Sequence, residues 1–155
     1  MAYLVDLYSI FKCKSDPLLE NSMINFILEF QNGDHGFGYH QSTLSETSKA
    51  VVMLKLLAYP LEKLQADRFI AECEEPRCGF TEIPGTSLSY LEFIYGGVLA
   101  AATVDYKLHY PDSCIDFIES CQTNRGGFSR TVWGGIATME NTFYAVHALK
   151  LLSVL

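Results

Sequence analysis

Apolar residues along this chain fall into two kinds of helical pattern that alternate. In the first kind, Ile24, Ile27 and Phe30, then Ala66, Phe69, Ile70 and Cys73, then Cys114, Ile118 and Cys121 recur three or four apart, while Glu, Asp, Asn and Ser occupy the other positions. A helix of 3.6 residues per turn gathers such a set onto one stripe, so each segment predicts an amphipathic helix with one buried face. In the second kind the apolar character runs nearly all round: Ala50 to Leu57 is broken only by Lys55, and Phe143 to Leu155 is similar. Helices of that kind are enclosed on most sides. The alternation predicts two layers, with polar-faced helices outside and buried helices inside.

The alternation is also a repeat. Phe26-Ile-Leu-Glu-Phe-Gln31 leads to Gly36-Phe37, Phe69-Ile-Ala-Glu-Cys-Glu74 to Gly79-Phe80, and Phe117-Ile-Glu-Ser-Cys-Gln122 to Gly126-Gly127-Phe128. The closing Phe lies eleven residues after the opening one each time, and the Gly-Phe pairs recur at steps of 43 and 48 residues. Periods of that size mark stacked supersecondary units. Asp16-Pro17, Tyr59-Pro60 and Pro111-Asp112 read as starts of the outer helices, since Pro is tolerated in a first turn and Asp can cap one; Asp112 is the candidate N-cap of the third. The opening Tyr3-Leu-Val-Asp-Leu-Tyr-Ser-Ile-Phe11 can be laid on Tyr144 to Leu152, which places an inner helix over residues 1–12. The expected order is that helix and then three hairpins at 17–57, 60–104 and 111–155, seven helices in one domain of residues 1–155, with Leu88 to Val104 as the third inner helix. Pro84-Gly85 and Trp133-Gly134-Gly135 read as turns inside the outer-to-inner connections.

Composition narrows the class without changing this architecture. With 155 residues, 49% apolar and 19% charged, the chain suits one folded domain. A net charge of −7 argues against a nucleic-acid or anionic-membrane surface. The longest stretch without charge or strong polarity, Phe93 to Val104, has twelve residues, and a bilayer span needs about 20. Asp6 and the absence of a basic leading segment argue against a signal peptide. A cytoplasmic protein is expected, with its five cysteines as free thiols.

Gln122-Thr-Asn-Arg-Gly-Gly-Phe128, followed by Thr142-Phe-Tyr-Ala-Val-His-Ala-Leu149, resembles the repeat of the protein prenyltransferase β subunits and of squalene and terpene cyclases. The first unit is similar; the second departs from it, with Glu74 in place of Gln and Cys78-Gly79 in place of paired glycines. The matches cover residues 17–155. The resemblance implies an all-α fold, an α/α toroid whose inner helices ring an apolar cavity and whose outer helices run antiparallel to them. Glycines at the outer helix ends would permit positive φ and close packing, with the Phe plugging the gap beneath the turn. A full toroid of this kind has about six hairpins, and this chain carries about half a ring. An open stack leaves apolar inner faces uncovered, so the expected partner is a second copy in a homo-oligomer or a missing partner segment. The implied function is a prenyltransferase-like or terpenoid-cyclase-like protein that binds an isoprenoid or similar lipid, acting as a transferase when a second chain completes it. The alternative is a non-catalytic protein-binding or assembly module that kept the repeat.

The chemistry implied by the resemblance is only partly present. Prenyltransferase β subunits hold a catalytic zinc with an Asp-x-Cys pair and a later His, and this chain contains Asp112-Ser-Cys114 and His147. Asp112, however, opens an outer helix, whereas the family pair lies on an inner one, and His147 lacks the family's flanking residues. No metal or cofactor is therefore expected. Cys73 and Cys121 fall in the slot of Phe30, which asks only for an apolar side chain, and Cys78 falls in a variable loop. The Asp-x-Asp-Asp acid of the cyclases is absent, and Asp112 and Asp116, four apart, read as a solvated face. The reactive-cysteine run of the thioester domains is absent as well. What remains is the aromatic load, 20 residues or 13%. Tyr39, His40, Tyr95, Arg130, Trp133 and Tyr144 are the candidate lining of a cavity mouth. Aromatic walls suit isoprenoid chains, and Arg130 with His40 could meet a diphosphate. Glu92 and Glu140 sit near inner-helix N-termini, where an acid favours the helix dipole.

Overall fold

The computed structural model describes residues 17–154. Among them are six α-helices: α1 (Pro17–Leu28), α2 (Leu44–Leu56), α3 (Ala66–Cys73), α4 (Leu91–Val104), α5 (Pro111–Ser120) and α6 (Met139–Leu152). A short 3-10 helix (Leu61–Lys63) precedes α3, and β1 (Glu74–Glu75) pairs antiparallel with β2 (Gly79–Phe80) directly after it. The inner helix expected at residues 1–12, the seventh of the sequence reading, lies outside the described residues.

The layers follow the two apolar patterns. Helix α4 packs against α2 on one flank and α6 on the other, so the all-round apolar helices form one layer. Helix α1 sits on α2, α3 spans α2 and α4, and α5 spans α4 and α6. Helix α3 buries only its stripe of Ala66, Phe69, Ile70 and Cys73, whereas α4 buries Leu91, Ile94, Gly96, Gly97, Val98, Ala100 and Ala101. Cys73 and Cys121 are buried as small apolar side chains in the slot that Phe30 fills in the first unit.

Each outer helix ends in the same turn. Gln31 pairs with Phe37, Glu74 with Phe80, and Gln122 with Phe128. The three Phe rings are buried. Phe37 and Phe128 pair onward with Thr43 and Thr138, the N-caps of α2 and α6, whose hydroxyls accept from the amides of Glu46 and Asn141. Their own amides donate to Thr47 Oγ1 at 2.9 Å and Thr142 Oγ1 at 3.2 Å. In the second unit Phe80 lies so close to α4 that a Cβ on Gly97 would fall 2.4 Å from its ring, which requires glycine there.

In the first two units the residue that closes the outer helix also holds the loop leading to the next one. Gln31 Nε2 donates to the Leu64 carbonyl at 2.8 Å. In the second unit the next loop offers donors instead, and Glu74 accepts from His109 N at 2.9 Å, His109 Nδ1 at 2.7 Å and the Tyr106 hydroxyl at 2.8 Å. This inversion explains why the second unit carries an acid where the others carry Gln. Burial and the neighbouring Glu74 raise the Tyr106 pKa and keep its hydroxyl a donor.

The starts of two outer helices differ from the sequence reading. Pro60 opens a 3-10 turn rather than the outer helix; the chain buries Leu64, reverses at Gln65 in a left-handed conformation (φ 52°) and only then enters α3. The N-cap of α5 is Tyr110 with Pro111 in the first turn, so Asp112 lies within that turn, exposed, and is not the cap.

Candidate functional site

Inner helices that bury one side against the outer layer leave another side free, and here those free sides enclose a cavity of about 900 Å³. Ser45, Ser48, Lys49, Val52 and Met53 come from α2, Glu92, Tyr95, Gly96 and Leu99 from α4, and Glu140, Asn141, Phe143 and Tyr144 from α6. On α2 and α4 these positions recur three or four apart, one stripe of each helix. Arg130, Ile136 and Thr138 close the rim from the loop before α6.

One wall is aromatic. The Tyr95 and Tyr144 rings stack with centroids 4.6 Å apart and planes 17° from parallel, and Phe143 meets Tyr95 edge-on at 6.0 Å. The Tyr95 hydroxyl bonds His147 Nδ1 at 3.2 Å, and the Tyr144 hydroxyl donates to Glu140 Oε1 at 2.8 Å. At the rim, Arg130 Nε donates to Glu92 Oε1 at 2.6 Å, a second guanidinium nitrogen pairs with the same oxygen, and the group lies 4.0 Å over the Tyr90 ring. The hydrogen bond and charge of Glu92 raise the Arg130 pKa. The Arg130 carbonyl accepts from Leu91 N at 3.0 Å, which fixes this loop residue at the start of α4.

Three of the six residues chosen from sequence, Tyr95, Arg130 and Tyr144, thus line one cavity. Tyr39 lines a smaller one of about 220 Å³ between α1 and α2, beside Phe26, Phe30 and Phe37. It is 74% exposed, and His40, packed against its ring at 4.2 Å, lines neither cavity. Trp133 is 75% exposed and lines neither. The residues that sequence reasoning missed are Ser45, Ser48 and Lys49, polar positions of α2 just ahead of the apolar run at Ala50, together with Asn141 in the first turn of α6.

Asp112, Cys114 and His147 are not brought together as one group of candidate metal ligands. Cys114 is buried in α5, and burial, reinforced by the charges of Glu74 and Cys78, pushes its thiol up to about 12. Asp112 is exposed on α5, and His147 lies on α6 against Tyr95. Among the described residues no group of three or more His, Cys, Asp or Glu side chains could hold a metal ion.

Hairpins that repeat one turn and stack apolar helices around a cavity define the α/α toroid class. The chain belongs to the prenyltransferase alpha-alpha toroid domain family, whose model matches residues 3–155. Among solved structures it is similar to Candida albicans protein geranylgeranyltransferase-I complexed with GGPP, with a TM-score of 0.73 and 22% identity. That match covers 85% of this chain and 43% of the other, so this chain spans less than half the length of that structure. No curated protein matches the sequence. Among the described residues no helix is long and apolar enough to cross a membrane.

Proposed function

We propose that this chain is a cytoplasmic, prenyltransferase-like component that binds an isoprenoid, or a lipid of similar shape, between α2, α4 and α6. A cavity of about 900 Å³ walled by the Tyr95–Tyr144 stack is the observation that carries this reading. Ligand sites commonly measure about 300–1,000 Å³ and are mostly apolar with a few placed polar groups. Stacked aromatic rings, with Val52 and Leu99 also in the lining, supply dispersion contacts along a prenyl chain without demanding directional bonds. These side chains bind, orient and exclude water; transferase chemistry belongs to a ring completed by a second chain. The open edge supports that completion. Gln122 occupies the position from which Gln31 and Glu74 hold the next loop, yet it is exposed and its side chain makes no hydrogen bond among the described residues.

The assembly-module reading rests on α6, where Met139 (86% exposed) and Val146 (58%) are exposed apolar side chains outside the cavity lining. Calorimetric titration with farnesol and geranylgeraniol, followed by light scattering, separates the two. The isoprenoid reading predicts saturable binding that weakens roughly tenfold or more in Tyr95→Ala, consistent with loss of an aromatic contact. No saturable binding of either alcohol, together with a ligand-independent oligomer, would leave the assembly module.

A further inference from the structure

The ionisable groups around the large cavity are Lys49, Glu92, Arg130 and Glu140, two cations against two acids. Arg130 is already committed to Glu92 and to the Tyr90 face. A diphosphate binds where cations exceed acids or where helix N-termini present free amides. Neither condition is met, because the first turns of α2, α4 and α6 carry Glu46, Glu92 and Glu140, acids that meet the positive end of each helix. Recruiting Arg130 to a phosphate would also leave Glu92 without its cation.

Uncharged polar groups remain in the cavity. Asn141 is 9% exposed and Ser48 4%, and both line it. Neither side chain makes a hydrogen bond to another described residue; the bond at Asn141 runs from its backbone amide to Thr138 Oγ1. Buried polar groups in folded proteins find partners. A carboxamide and a hydroxyl each donate and accept, as an alcohol does.

We infer that this cavity takes an uncharged isoprenoid, a prenyl alcohol or an equally neutral prenyl derivative, in preference to a prenyl diphosphate, with its polar head served by Asn141 and Ser48. The inference rests on the isoprenoid reading of the cavity. It recasts Arg130 as the partner of Glu92, an ion pair that closes the rim, rather than as a phosphate ligand.

The test is parallel titration of the full chain with farnesol and farnesyl diphosphate, which share one prenyl chain. Farnesol binds roughly tenfold or more tightly than the diphosphate, and Asn141→Ala weakens farnesol about two- to tenfold, the range of one neutral hydrogen bond. Glu92→Gln, a change at the partly exposed rim, frees Arg130 and strengthens the diphosphate relative to farnesol. Tighter binding of the diphosphate to the unaltered chain, or a diphosphate affinity indifferent to Glu92→Gln, would overturn the inference and leave the isoprenoid site standing. Binding of neither compound would overturn both.

Discussion

Cys114 shows how a side chain that suggests chemistry is turned into packing. Its sulfur would lie only 2.6 Å from a Cβ at Gly79, a left-handed residue (φ 84°), so the thiol fills the space that this glycine leaves. Burial pushes the Cys114 thiol up to about 12 and the Cys121 thiol up to about 11, and raises Cys73 further. In the unfolded chain a thiol titrates near the ordinary value of 9.0. Folded pKa values above unfolded ones mean that the stabilisation is complete below pH 9 and is lost as pH rises toward 11 and 12, because only the unfolded chain then releases these protons. Urea midpoints should therefore fall between pH 8.5 and about 10.5, and fall less in Cys114→Ala; equal falls in both proteins would remove Cys114 as a cause. The apolar role of Cys73 and Cys121 was legible from repeat register alone. The glycine at position 97 was not explicable that way, since the ring that demands it, Phe80, belongs to another element.

Among the elements, the hairpin unit was legible because its period is carried by residues that every unit needs: an apolar stripe, a plugging Phe and a turn. The late start of α3 was not. It depends on Leu64 finding a buried site and on Gln31 reaching its carbonyl, 33 residues away in sequence. Glu74 looked like a weak match for the same kind of reason, since the hydrogen-bonding sense of that position is set by the following loop. Glu74→Gln restores the repeat pattern but points a carboxamide nitrogen at donors from His109 and Tyr106. We expect it to destabilise the protein by about 1–3 kcal/mol, the cost of leaving buried hydrogen-bonding groups unmatched, read from the urea midpoint. A neutral or stabilising result would mean that the 105–110 loop rearranges around either side chain.

For the whole molecule, the toroid architecture was readable in advance, and of the six residues chosen from sequence Tyr95, Arg130 and Tyr144 line the large cavity. Tyr95 and Tyr144 lie on inner helices, α4 and α6, and both line the large cavity. Tyr39 and His40 fall outside the large cavity, in the loop between Phe37 and Thr43, where Phe37 pairs both back to Gln31 and forward to Thr43. Phe128 and Thr138 leave a longer loop in the same way, which carries Trp133 outward. Arg130 escapes that fate because its carbonyl and guanidinium are tied to Leu91 and Glu92.

Methyl-region NMR of the full chain titrated with geranylgeraniol tests the central claim most directly, because it reports where a ligand sits as well as whether it binds. The account predicts saturable shifts at Val52, Leu99 and Ile136, which line the large cavity, with Val51, Leu54 and Ile70 of the packed core unmoved. Shifts confined to Ile27 in the smaller cavity, or none at all, would contradict an isoprenoid site between α2, α4 and α6.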